Sequence, residues 1–426
     1  MNERLRQYAE RYLSIYRQFE NALAAEGLEF AEDRSERLIA LKAECITSGV
    51  LARNSCKSYL LNNFSKACED CCKGYSSSTF ILTLDCNRDC FFCSNRNQEN
   101  YKESLGKVFD IGGEYENYIK NGMKFTSVAV TGGEPLMHPD MCISFYKKVK
   151  KTDKRTHTRL YTNGDLLDER YLKELGRYLD EIRISAKDED GIYDLAGLKE
   201  KLDLSKRYVK DVTVEMPVLP DSFDEMAALL NMLEKVGVFS INLLEFLFPW
   251  QNVENYKELG YKIKNRPYRV LYKYNYAGGL PVDGSEETAL QIIKYAAERS
   301  FKLGVHYCSL ENKLTSQIYQ QNVLTKLSPL EVMDNEDFFI KTAKTFGEDA
   351  FKVRNVLDEN NIYYYTFDES KESIEFRTND IRLLKGSDVG EIGISYFVTE
   401  SNGINKFLRE INFEIINIQE VANEYI

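Results

Sequence analysis

The stretch Cys86-Asn-Arg-Asp-Cys90-Phe-Phe-Cys93, set directly after the apolar run Phe80-Ile-Leu-Thr-Leu84, constrains this chain more than any other. Three thiols at offsets 0, 4 and 7 reach one another only if the backbone wraps a common centre. Thiolates select soft metals and iron–sulfur clusters. The ligand count is as informative as the ligand type. A closed structural zinc site takes four protein ligands, whereas three leave one position open for something else. The competing reading is a zinc knuckle completed by a distant fourth cysteine, and the chain has 10 cysteines to draw on.

A length of 426 residues suggests two or three units. The chain is 43% hydrophobic and 29% charged, with only 8 prolines and no low-complexity tract, so it should be globular throughout. The N-terminus lacks an apolar core of signal-peptide length, and no apolar run approaches the roughly 18 residues of a membrane span. A cytoplasmic location is expected, where cysteine clusters are more often metal sites than disulfides. The net charge of −11 disfavours extended contact with nucleic acid.

Residues 1 to about 52 read as helical. Leu5, Tyr8, Tyr12, Ile15, Phe19 and Leu23 recur at spacings of three and four, and Leu38–Ala43 continue after a polar break. Residues 53–79 carry Cys56 and the run Cys68-Glu-Asp-Cys71-Cys72-Lys-Gly74. A CxxC pair is a bidentate hook for zinc or iron, and Gly74 would let the backbone turn close to the metal. An auxiliary metal site here needs further ligands, for which Cys45, Cys56 and Cys308 are candidates. Cys308, at the end of the short strand Val305–Ser309, is nominated beside Cys68 and Cys71. Cys72 and Cys45 read equally well as small buried side chains.

From Phe80 the pattern changes to strands alternating with amphipathic helices, which argues a parallel α/β layout. The strands are Phe80–Leu84, Ser127–Thr131, Arg159–Thr162, Glu181–Ser185, Asp211–Pro217 and Ser240–Phe246. In such folds chemistry collects at the C-terminal strand ends. The second strand runs into Gly132-Gly133-Glu134-Pro135, where two glycines permit a tight turn and exposed backbone polar groups. The third ends in Thr162-Asn163-Gly164, which alone would be a simple turn. The fourth ends in Ser185, followed by Lys187. Glu215 and the Asn242-to-Glu245 segment close the fifth and sixth. Acids inside apolar strands are costly unless partnered, so these residues are ligand candidates, although one acid could instead be paired against a helix.

CxxxCxxC after a strand, with Phe92 before the last cysteine and Gly-Gly-Glu-Pro one strand–helix unit later, resembles the signature of the radical S-adenosylmethionine (radical SAM) superfamily. The resemblance implies a partial (β/α)6 TIM-like barrel in which Cys86, Cys90 and Cys93 hold a [4Fe–4S] cluster. S-adenosylmethionine would chelate the fourth iron and be cleaved by one electron to a 5′-deoxyadenosyl radical that takes hydrogen from a peptide or small-molecule substrate. It also implies S-adenosylmethionine contacts from Gly132, Gly133, Glu134, Thr162, Asn163, Ser185 and Lys187, with Phe92 near the adenine. Glu215, Asn242 and Glu245 are then candidates for substrate or S-adenosylmethionine. Such an enzyme would be oxygen-sensitive and draw electrons from a donor such as flavodoxin or ferredoxin. Roughly residues 68 to 320 are also similar to a functionally unassigned group related to the activases of glycyl-radical enzymes. An activase is therefore one alternative, and a zinc-stabilised binding module is another from a different class. A second iron–sulfur cluster would occupy the upstream cysteines.

Three parts are expected. Residues 1–75 form a helical N-terminal region with the Cys-rich segment, 76–322 the barrel core, and 323–426 a small α+β domain. Within the core, Tyr272, Tyr274 and Tyr276 suggest a strand broken by Gly278-Gly279, and Phe248-Pro249-Trp250 opens a polar insertion. Ser285 reads as the N-cap of a helix over Thr288–Lys302. His306 reads as a satisfied core or surface histidine. In the last part, helices Pro329–Phe346 and Asp349–Glu359 should precede strands Ile362–Phe367, Ser373–Arg377, Glu391–Val398 and Arg409–Ile416.

Overall fold

The computed structural model describes residues 2–71, 76–97, 100–248, 253–265, 280–403 and 405–421. Cys72, Gly74, Pro249, Trp250, the tyrosines 272 to 276, Gly278-Gly279 and the side chain of Cys71 lie outside the described residues. The described residues divide into two compact units, one of residues 28–265 and 280–316 and one joining residues 2–27 to 317–421. The N-terminal helical stretch is thereby split between them. α1 (Glu3–Ala25) belongs with the C-terminal residues, where Leu5 and Ala9 pack against Phe413. Its N-cap Asn2 donates to the Phe346 carbonyl at 2.7 Å. α2 (Ser35–Thr47) belongs to the other unit and buries Cys45, whose thiol donates to the Leu290 carbonyl.

The larger unit is built on one sheet. Its strands are β1 (Leu51–Arg53), β2 (Ser58–Leu61), β3 (Ser77–Thr83), β4 (Ser127–Gly132), β5 (His157–Thr162), β6 (Glu181–Ile184), β7 (Asp211–Val218), β8 (Ser240–Glu245) and β9 (Gly304–Cys308). They lie in the order β1-β2-β9-β8-β7-β6-β5-β4-β3. β3 to β9 run parallel, so the six expected strands are joined by a seventh. The hairpin β1–β2 then adds antiparallel to β9. Its strands are too short to show a period, and its turn residues Asn54, Ser55 and Cys56 all take positive φ without a glycine.

Strand alternation sorts the side chains. Leu160, Ile182, Ile184, Val212, Val214, Ile241 and Val305 face outward and pack in one apolar cluster with the surrounding helices. The alternate positions, among them Arg159, Glu181, Arg183, Glu215 and His306, fill the barrel interior with polar groups, and Thr213 and Ser240 bond there at 3.0 Å. After β8 comes α3 (Ser285–Glu298), whose N-cap is Gly284 in the left-handed region at φ 82°. Ser285 is not the cap. Its hydroxyl donates to the Val218 carbonyl and accepts from the Phe246 N–H, both at 2.8 Å, tying the helix to the end of β7 and to the residue after β8. α4 (Leu310–Asn322) follows β9.

The smaller unit holds an antiparallel sheet with β10 (Ile340–Phe346) at its centre. One side carries β12 (Ser373–Phe376) and then β11 (Tyr365–Asp368), the other β13 (Glu391–Ser401) and then β14 (Lys406–Asn417). The expected helix Pro329–Phe346 is therefore wrong, because Val332–Met333 and Ile340–Phe346 are strands. β-Branched Ile340, Thr342 and Thr345 suit the pleat, and pairing on both edges outweighs the apparent helical spacing. The helix over 348–359 is present as expected.

Candidate active site

A cavity of about 250 Å³ opens at the C-terminal ends of the barrel strands. The loop after β3 brings all three motif thiols, Cys86, Cys90 and Cys93, to its wall together with Phe92. Gly132, Gly133, Thr162, Asn163, Ser185, Glu215 and Glu245 line the same space. Tyr161, Arg183, Arg88 and Lys313 line it too, although the motifs alone did not single them out.

Two glycines hold the rim together. A Cβ on Gly132 would meet the Thr83 carbonyl oxygen at 2.0 Å, and one on Gly133 would meet that of Asp85 at 2.0 Å. The close approach lets Gly133 N–H donate to Thr83 and Glu134 N–H to Asp85, both at 2.8 Å, so the β4 tip is pinned beside the cysteine loop. Across the loop, Arg88 donates to the Lys187 carbonyl at 2.7 Å and pairs with Asp165 through Nε at 2.6 Å. Burial opposes ionisation of Asp165, but Arg88 and Lys201 bring its carboxyl down to about 2. The Asn163 amide reaches Asn87 at 2.8 Å. The cysteine loop is thus tied to the loops after β5 and β6.

These residues suit an iron–sulfur cluster by donor type. Burial raises all three thiols, Cys90 to about 12 with a further push from Cys93, so ligation must displace protons. Among the described residues no three His, Cys, Asp or Glu side chains converge on a single ion, the motif thiols included. A cluster of several irons needs no such convergence, since each thiolate can take its own iron.

Three of the expected ligand residues sit behind the wall instead of on it. Glu134 is fully buried and accepts from Thr162 Oγ1 at 2.8 Å, Asn163 N at 2.8 Å and Leu136 N at 2.9 Å. Its carboxylate therefore joins the tips of β4 and β5, and burial pushes its pKa up. Lys187 is buried, donates to the Pro217 carbonyl at 2.6 Å and lies 5.8 Å from the Phe92 ring centre. Burial lowers its ammonium to about 7. Asn242 belongs to a chain inside the barrel. Its amide donates to Glu215 at 2.5 Å, and its oxygen accepts from His306 Nδ1 at 2.6 Å. That leaves His306 Nε2 to accept from Ser58 Oγ at 2.8 Å. Burial first, then Arg183 and Arg53, lower His306 to about 3, so it is neutral, as a satisfied core histidine should be.

Arg183 organises the floor. Its Nε donates to Glu181 at 2.7 Å, Nη1 bonds Glu215, and Nη2 reaches the Cys68 sulfur at 3.0 Å. Burial would raise Glu181, but Arg183 and His157 hold it well below the usual carboxylate range. Glu245 was the acid that meets a helix. It accepts from the Leu310 N–H at the start of α4 and from Lys264, both at 2.8 Å. The signal for Arg183 was the alternation Glu181-Ile-Arg-Ile-Ser185, which puts three polar side chains on one strand face.

The described candidates for an auxiliary site are Cys56, Cys68 and Cys308. Cys56 is exposed in the β1–β2 turn, Cys68 lies against Arg183, and buried Cys308 accepts from Asn312 Nδ2 at 3.3 Å.

Residues 80–233 match the family model described as the radical SAM superfamily. The chain is 30% identical over 330 residues to a protein of Methanocaldococcus jannaschii named as a candidate glycyl-radical enzyme activating enzyme, covering 73% of this chain and 83% of that one. It is 23% identical over 344 residues to a probable GTP 3′,8-cyclase of Sulfurisphaera tokodaii, covering 72% and 97%. Among solved structures it is similar to anSMEcpe with bound AdoMet and a peptide, at 19% identity and TM-score 0.32, covering 41% of this chain and 52% of that one. It is also similar to Streptococcus suis SuiB bound to precursor peptide SuiA, at 12% identity and TM-score 0.41, covering 76% and 66%. The chain spans between half and two thirds of the length of these solved structures. No described helix is long and apolar enough to cross a membrane.

Proposed function

The chain belongs to the radical SAM superfamily and is one of its enzymes, and from that premise we propose that it cleaves S-adenosylmethionine reductively and takes hydrogen from a peptide or small-molecule substrate. One observation carries the reading: three motif thiols and the double-glycine strand end share one cavity wall. With a [4Fe–4S] cluster and S-adenosylmethionine bound, the pair would supply one-electron cleavage of the sulfonium and a carbon radical able to break a strong C–H bond. Cys86, Cys90 and Cys93 would hold the cluster. The glycines, Thr162, Asn163 and Ser185 would face S-adenosylmethionine, with Phe92 packed against its base. Glu134 and Lys187 act from behind, the first fixing the β4 and β5 tips, the second backing Phe92 and Pro217. Glu215 and Glu245 would meet substrate or S-adenosylmethionine, with Asn242 orienting Glu215. Flavodoxin or ferredoxin would deliver the electron.

A second reading, activation of a glycyl-radical enzyme, is favoured by the name of the 30% identical relative. A glycine-centred radical appearing on such a partner would support it. Deuterium passing from a peptide or metabolite into 5′-deoxyadenosine would support the first reading.

Anaerobic reconstitution tests both. About four irons per chain are expected, or about eight if Cys68 and its neighbours hold a second cluster. Dithionite and S-adenosylmethionine should then yield 5′-deoxyadenosine, and Cys90→Ala should lose both the iron and the product. Stoichiometric zinc without iron, or unchanged release by Cys90→Ala, would contradict the proposal.

A further inference from the structure

Arg159 lies one pleat below Tyr161 on the interior face of β5. Only 7% of its surface is exposed. Both nearby acids are already engaged: Glu181 accepts from Arg183, His157 and Ser65, and Glu215 accepts from Arg183 and Asn242. Among the described residues Arg159 makes no ion pair, and its buried Nε has no hydrogen-bond partner. The guanidinium stacks on the Tyr161 ring at 4.9 Å, while that of Arg183 lies 5.6 Å from the same ring. A buried cation is costly unless paired, and a stacked ring does not replace a counter-charge. Tyr161 and Arg183 both line the cavity, with Arg159 directly behind them against the same ring.

We infer that the floor of the barrel is an oxyanion site, in which Arg159 and Arg183 hold a carboxylate or phosphate of a small-molecule substrate. The inference rests on the radical SAM reading for the word substrate and deepens it by giving the substrate a charge. Carboxylate and phosphate share the chemistry that planar guanidinium donors recognise. The unpartnered Arg159 Nε and the lining of the cavity by Arg183 point to this occupant.

The test is a set of thermal melts on the reconstituted full-length protein in malonate, inorganic phosphate or chloride at matched ionic strength. One of the two oxyanions should raise the midpoint beyond chloride, which also tells carboxylate from phosphate. Arg159→Met should weaken that response by about tenfold or more, the loss of a charge-assisted hydrogen bond. Arg159→Lys should recover part of it. In chloride Arg159→Met should melt no lower than the wild type, since it breaks no ion pair and no Nε hydrogen bond among the described residues. Equal oxyanion responses in wild type and Arg159→Met, or no response in the wild type, would overturn the inference. So would a lower melt of Arg159→Met in chloride, which marks a merely structural arginine, or loss of iron in that variant, which marks a second cluster as occupant. Release of 5′-deoxyadenosine by the wild type, measured in parallel, judges the radical SAM reading separately. Its absence would leave the oxyanion result intact.

Discussion

The rim and the floor of the barrel are built by opposite means. At the rim, thiols sit on a loop held by backbone hydrogen bonds, by two glycines without room for a Cβ and by one partly exposed Arg88–Asp165 clamp. At the floor, side chains from neighbouring strands meet in a buried polar network in which Arg183 answers two acids at once. The thiol loop makes no ion pair through its cysteines and borrows its rigidity from the main chain. The floor instead matches Arg183 with two acids, while Arg159 makes no ion pair among the described residues.

The contrast is sharpest if the floor is broken first. Arg183→Leu strands Glu181 and Glu215 as buried carboxylates and should cost about 3–5 kcal/mol in a urea melt. Adding Glu181→Gln and Glu215→Gln should return much of that loss. If the single variant is as stable as the wild type, the floor is not an ionic lock. The rim should respond more mildly. Gly133→Ala forces a methyl against the Asp85 carbonyl and should cost about 1–3 kcal/mol. Its iron content should fall with it, and a variant that loads iron normally would show that the glycine does not position the cysteine loop.

The smallest effect lies between the two regions. Lys187 has its ammonium lowered by burial from the ordinary 10.5 to about 7. Between those values the unfolded chain binds one more proton than the folded chain, so raising the pH stabilises the fold. Relative to Lys187→Met, the wild type should gain about 1 kcal/mol per pH unit between pH 8 and 10. Parallel stability profiles for the two proteins would place Lys187 in contact with solvent.

Legibility followed the same division. The rim could be read because its signals are local: thiol spacing, a double glycine and strand ends one unit apart. Even there Glu134 was expected to face a ligand, yet its carboxylate is consumed by Thr162 and two backbone N–H groups from neighbouring loops. The floor depends on register across strands. The alternation in Glu181-Ile-Arg-Ile-Ser185 was visible, but that Arg183 would meet Cys68 and Glu215 follows only once the strands are paired. The β1–β2 hairpin was hidden by its shortness. β10 was read as helix because its apolar residues fit three-and-four spacing as well as they fit a central strand.

The central claim is that the three rim thiols hold a cluster able to take S-adenosylmethionine at an open iron. Electron paramagnetic resonance of the anaerobically reconstituted, dithionite-reduced protein, recorded without and with S-adenosylmethionine, tests it most directly. A reduced-cluster signal that changes when S-adenosylmethionine is added is the predicted result. A signal indifferent to S-adenosylmethionine, or none because the protein holds zinc, would contradict the account.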